Sequence, residues 1–120
     1  MQLQALVPML QTHDMNRTRE WYESVLGFLT SPASDDGWRR LTRDDNSIMF
    51  MRNDHLGPPQ ATAPRYIYVN DVMALWGSIK DRCAAEWGPE EMPYGMLEFA
   101  VSDPNGYLLS FGEEVAPISK

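Results

Sequence analysis

The stretch Met96-Leu-Glu-Phe-Ala-Val-Ser-Asp-Pro-Asn-Gly-Tyr-Leu-Leu-Ser-Phe-Gly112 reads as two strands joined by a tight turn. Residues 97–101 and 107–111 are rich in branched and aromatic types, which suit a pleated, half-buried surface. Asp103-Pro-Asn-Gly106 is the turn. Pro104 presets φ at the first central position, and the Asp103 carboxylate can accept a local backbone hydrogen bond. Gly106 supplies the left-handed residue that closes a type I turn with a bulge. A hairpin needs strands to pair with and a layer to cover it, and the rest of the chain can be read as supplying both.

Working outward, Trp87 to Met92 is a short strand, reached from a helix over about 72–86 that Asp71 caps. Val72, Leu75, Trp76, Ile79 and Cys83 follow its apolar spacing, and Cys83 reads as a small buried hydrophobe. Arg65 to Asn70 is a strand. Residues 53–64 hold three prolines and a glycine without periodicity and read as a linker. Before it, Trp38 to Arg43 and Ser47 to Arg52 form a hairpin around Asp44-Asp-Asn46, and Phe28 to Thr30 is a short strand. A helix over about 15–26, capped by Asp14, presents Met15, Thr18, Trp21, Tyr22, Val25 and Leu26 on one face. Residues 3–11 read as a strand in which Pro8 marks an edge, a sheet end or a bulge.

The order strand, helix, three strands occurs twice. Gly37-Trp-Arg-Arg-Leu-Thr-Arg-Asp-Asp45 and Gly95-Met-Leu-Glu-Phe-Ala-Val-Ser-Asp103 are each a glycine, a strand and an acidic turn. Such an echo marks a duplicated supersecondary unit. The expected class is α+β: two βαβββ modules, about 3–52 and 65–114, within one domain spanning 1–120. One helix covers only one face of a four-stranded sheet, so the other face must curl around something, meet its duplicate or bind a partner.

Ten Lys and Arg against 17 Asp and Glu leave a net charge of −7. That speaks against a nucleic-acid partner, which needs clustered cations. No basic-apolar leader opens the chain and no apolar run approaches about 18 residues, so neither export nor a membrane is expected, and the compartment read from this is the cytoplasm. A single cysteine excludes an intrachain disulfide.

With these residues in place the chain resembles the vicinal oxygen chelate superfamily, the glyoxalase, bleomycin-resistance and dioxygenase group. The carriers are Asp14 with Arg19-Glu-Trp-Tyr-Glu-Ser-Val-Leu-Gly-Phe28, and Glu98-Phe-Ala-Val-Ser-Asp-Pro-Asn-Gly106 preceded by Pro93-Tyr-Gly95. The second segment looks most like the antibiotic-binding, bleomycin-resistance branch. The resemblance implies incomplete barrels, a cup-shaped cavity and a homodimer.

Enzymes of the superfamily hold a metal with His, Gln or Glu from four strands. The corresponding positions fall on Val7, on or beside Met49, on Arg65 and on Ser110. Two apolar residues, a cation and a lone hydroxyl do not suit a hard divalent ion. His13, beside a helix cap, and His55, in the linker, have no second ligand at useful spacing and read as loop histidines. No metal, no other cofactor and no catalytic residue is therefore expected. Glu98 is the one carboxylate in an apolar strand; it either faces the cup or pairs with Arg40 on the neighbouring hairpin.

Strand alternation anchored on Val7 and Ser110 points Val7, Met9, Gln11, Met49, Met51, Arg65, Ile67, Leu108 and Ser110 inward. The methionines suit an aromatic ligand of variable shape and equally suit a core. Trp38 and Tyr94 each flank a glycine at matching rim positions, where two rings can hold a planar group. Trp87 either adds to that wall or packs on a helix. The expected ligand-binding set is Trp38, Arg40, Met49, Met51, Arg65, Trp87, Tyr94, Glu98 and Ser110. Two functions follow: non-catalytic sequestration of an aromatic or peptide antibiotic in a dimeric cup, or a metal-dependent glyoxalase or thiol-transferase with displaced ligands.

Overall fold

A computed structural model describes residues 1–32, 34–52 and 64–115. The chain forms two compact units, Met1–Pro59 and Gln60–Lys120, each a βαβββ arrangement. Most of the expected linker, and His55 with it, lies outside the described residues.

The first unit runs β1 (Met9–Gln11), α1 (Met15–Ser24), β2 (Leu29–Thr30), β3 (Trp38–Arg43) and β4 (Asn46–Met51). Its open sheet has the order β1-β4-β3-β2, with β1 parallel to β4 and the other pairs antiparallel. Asp14 caps α1, its Oδ1 accepting from the Arg17 amide at 3.0 Å. Gly27, left-handed at φ 71°, turns the chain so that the Phe28 amide bonds back to the Tyr22 carbonyl. The Tyr22 ring then lies edge-on to Phe28 and 5.2 Å from Phe50, with Leu41 and Ile48 buried beside them. Each such fully buried side chain contributes about 1.5–3 kcal/mol.

The second unit runs β5 (Arg65–Tyr68), α2 (Val72–Ile79), β6 (Trp87–Glu91), β7 (Met96–Ser102) and β8 (Leu108–Glu114). Its sheet order, β5-β8-β7-β6, repeats the first. Asp71 caps α2, and Glu113 Oε1 accepts from the Val72 amide, so two carboxylates serve the free amides of one helix start. Trp76 of α2 packs on Phe99, which stacks on Phe111 at 5.1 Å. The Asp103–Gly106 turn forms as expected: Asp103 Oδ1 accepts from the amides of Asn105 and Tyr107, and Gly106 sits at φ 87°.

Three expectations change. The first strand covers only Met9–Gln11, with Leu3 and Leu6 exposed. Pro8 has no amide to extend the ladder, and its carbonyl accepts the last bond, from Met49. The second helix stops at Ile79, short of residue 86. The chain must turn there to bring Glu86 and Trp87 onto β7, where the Glu86 amide bonds the Ala100 carbonyl. Cys83 therefore lies beyond the helix, half-buried, and desolvation pushes its thiol pKa up.

Candidate functional site

Register divides each sheet into a helix-covered face and an open face. In the first unit Met9 pairs with Met49 and Gln11 with Met51, while Trp38 pairs with Met51 and Arg40 with Met49. Partners across a ladder share a face. Trp38, Arg40, Met49 and Met51 therefore stand together on the open face, whereas strand alternation in the sequence groups only the two methionines. An Asx turn sets Trp38: Asp35 Oδ1 accepts from the amides of Gly37 and Trp38 at 2.8 and 2.9 Å. Arg40 donates Nε to Ser47 Oγ, 3.2 Å away.

In the second unit Glu98 pairs with Gly112, Ala100 with both Ser110 and Trp87, and Tyr66 with Ser110. These residues share the open face. The Arg65 expectation is corrected here. Arg65 pairs with Leu109, on the Phe99–Phe111 side, and its guanidinium lies 4.8 Å from the centre of the Tyr107 ring. Ile67, opposite Phe111, shares that side. The face that Ser110 occupies carries Tyr66 and Tyr68 from β5. The sequence held the clue: Ile67 and Val69 are the apolar members of the alternation Arg-Tyr-Ile-Tyr-Val, and they claim the core side.

Glu98 is the centre of this face. Its side chain is buried, with the residue only 3% exposed. Its Oε1 accepts from the Tyr66 hydroxyl at 2.9 Å and the Tyr94 hydroxyl at 2.7 Å; Oε2 accepts from the Trp87 indole N–H at 2.8 Å. All three donors are neutral and none is Arg40, the partner expected as an alternative. Trp87 thereby belongs to the open face through its indole nitrogen. Tyr94 reaches Glu98 from the β6–β7 turn, where Gly95 takes φ 83°. Tyr66 comes from the far side of β8, and its phenol passes over Gly112. A Cβ at 112 would collide with the Tyr66 hydroxyl and Cζ. Tyr68 stands edge-on to Tyr66 with ring centres 5.2 Å apart.

The electrostatics follow from this arrangement. Burial, and then the hydrogen bond to Glu98, pushes the Tyr66 phenol well above the ordinary phenol range. The hydrogen bond to Glu98 is the main cause of a rise at Tyr94. Both phenols therefore stay protonated and act as donors to the carboxylate.

Among the described residues no group of three or more His, Cys, Asp or Glu gathers as a metal site. The donor chemistry points the same way. Val7 precedes β1, Met49 offers a thioether, Ser110 a hydroxyl, and the β5 residue on Ser110's face is a phenol already bonded to Glu98. That set does not fit a hard divalent cation. A groove of about 500 Å³ lies elsewhere in the first unit, lined by Gly27, Leu29, Thr30, Ser31, Thr42, Arg43 and Asp44. It includes none of the residues expected to bind a ligand, and its lining offers no buried polar group.

The family model for the Glyoxalase/Bleomycin resistance protein/Dioxygenase superfamily matches residues 4–111. No curated protein sequence matches the chain. Solved structures share the fold at low identity. A bleomycin-binding protein from Streptomyces verticillus, in complex with copper(II)-bleomycin, superposes with a TM-score of 0.72 at 23% identity, covering 92% of this chain and 96% of that one. TnmS3, an antibiotic-binding protein from Streptomyces sp. CB03234, gives 0.78 at 20% identity over 95% and 98%. A lactoylglutathione lyase from Agrobacterium tumefaciens gives 0.71 at 14% identity over 92% of each chain.

Proposed function

The chain belongs to the Glyoxalase/Bleomycin resistance protein/Dioxygenase superfamily, and from that premise we propose that it binds a small aromatic molecule and sequesters it unchanged. Two structural neighbours bind antibiotics, one of them copper(II)-bleomycin, and an aromatic or peptide antibiotic is the ligand class that fits best. The observation that carries this reading is the open face of the second sheet. There Tyr66, Tyr68, Trp87 and Tyr94 gather around one buried carboxylate. Small-molecule sites have this composition: aromatic walls with few, well-placed polar groups. Taken by itself, the open face of the first sheet carries Trp38, Arg40, Met49 and Met51: a ring, a cation and adaptable thioethers.

Glu98 suits binding better than proton abstraction. The three hydrogen bonds it accepts hold the carboxylate in place and occupy most of its acceptor positions. The positions that carry metal ligands in enzymes of the superfamily lack the donors for metal-assisted chemistry.

The same reading makes the protein a cytoplasmic homodimer. Met9, Tyr68 and Tyr94 are large and exposed on open sheet faces, and faces of that kind mark interaction surfaces. Light scattering coupled to gel filtration would remove the dimer if it returned the mass of one chain.

A thermal-shift panel of bleomycin-like, mitomycin-like and intercalating peptide antibiotics tests the function. A ligand at one hundred times its dissociation constant stabilises the native state by about 2.7 kcal/mol, a rise of several degrees. Indifference to every aromatic member, or stoichiometric divalent metal in protein purified without chelator, would overturn the reading.

A further inference from the structure

Among the described residues Glu98 has no cationic partner. None of the ion pairs among the described residues includes it, although the residue is only 3% exposed. Buried carboxylates are ordinarily paired with a positive group, because neutral dipoles offset the loss of hydration only in part. Here the compensation comes from two phenols and one indole N–H. A carboxylate has about four acceptor positions, so the three donors leave one, on Oε2.

A second observation comes from β8. The Ser110 hydroxyl is buried, the residue being 1% exposed, and has no hydrogen-bond partner among the described residues. Register puts it on the same face as Glu98, one step along the ladder, since Ala100 pairs with Ser110 and Glu98 with Gly112. Leaving a buried hydroxyl unmatched costs about 1–3 kcal/mol, so a polar group arriving on this face gains an acceptor already stripped of water.

The surround fits a cation as well. The Tyr94 and Tyr68 residues are 57% and 79% exposed, and Tyr66 is 38% exposed. The rings of Tyr66 and Tyr94 stand between Glu98 and solvent. A phenol displaced from the carboxylate would recover water for its hydroxyl and leave its ring face beside the incoming charge. An organic ammonium presents three N–H donors to an acceptor-only carboxylate and a hydroxyl. The net charge of −7 favours its approach.

We propose that the Glu98 face receives the ammonium group of an amine-bearing aromatic ligand. Glu98 is the counter-ion, the Ser110 hydroxyl an acceptor, and the Tyr66, Tyr68 and Tyr94 rings are cation–π walls. The assignment rests on the binding reading above and names its ligand class.

Two probes of matched shape test it on the full chain: 1-naphthylmethylamine, cationic at neutral pH, and 1-naphthalenemethanol, neutral. Calorimetric titration should show the amine bound at least about ten-fold more tightly, the scale of a hydrogen bond to a charged group. Glu98→Gln should bring the amine down to the alcohol's affinity. Equal binding of the two probes by the unmodified protein overturns the ammonium site and leaves aromatic binding standing. Binding of neither overturns both. Retention of the amine's advantage in Glu98→Gln also overturns the site. Should that variant not fold, Tyr68→Ala, altered at an exposed ring, must cut the amine's advantage by about two- to five-fold; an unchanged advantage refutes the proposal.

Discussion

At position 112 a side chain would occupy the space that the Tyr66 phenol takes on its way to Glu98. Glycine there is a requirement of a neighbour, not of its own backbone. Gly112→Ala should therefore cost about 1–3 kcal/mol, the range for forced overpacking, measured by urea unfolding. In a Tyr66→Ala background the same change should cost far less, because the colliding ring is gone. The two phenols also set an alkaline limit. A phenol whose pKa is raised in the folded state contributes stability that is complete below the unfolded value, about 10, and is lost as pH climbs beyond it. The direction at Tyr66 and Tyr94 is upward, so the urea midpoint should fall above about pH 10. In Tyr66→Phe it should fall less steeply; identical slopes would disprove the coupling. At this scale the sequence showed that Glu98 was anomalous in an apolar strand. It did not show Tyr66 as a donor, since that residue lies 32 positions away and only pairing through β8 brings it near.

Between residues and molecule, the elements divide by how locally they are determined. The Asp103–Gly106 turn depends on four consecutive residues, and every feature expected of it is present. Asp103→Ala removes an acceptor for two amides from a buried position and should cost about 1–3 kcal/mol. Replacement by Asn, which keeps one oxygen, should cost less; equal losses in denaturant melts would contradict this account. The caps at Asp14 and Asp71 are equally local. Helix length is not. At 10 and 8 residues, α1 and α2 are too short to be stable alone, so packing on a sheet decides where each ends. That is why Cys83, at good helical spacing, falls outside α2. Strand β1 is cut short for a related reason, because Pro8 leaves no amide for further pairing.

For the whole molecule, charge is the property that acts at a distance. With −7 at neutral pH, a cationic probe should associate faster at low salt than at high salt, and a neutral probe should not. The screening length is about 10 Å at 0.1 M. Stopped-flow titration of tryptophan fluorescence at several ionic strengths checks this, and equal salt slopes for both probes would refute it. The sequence by itself determined the duplicated βαβββ order, the capping residues, the turns and the poverty of metal donors, because each depends on residue type and short-range spacing. It also placed Met49 and Met51 on one face, since they are two apart in a single strand, whereas Trp38 and Arg40 join them through the β3–β4 register. Tertiary structure alone decided that Tyr66 reaches Glu98 across β8. Facing in a parallel pair depends on register against a strand more than forty positions away in sequence. The alternation within β5 divides its residues between two sides, but which side chain on another strand each one meets is supplied only by the packed sheet.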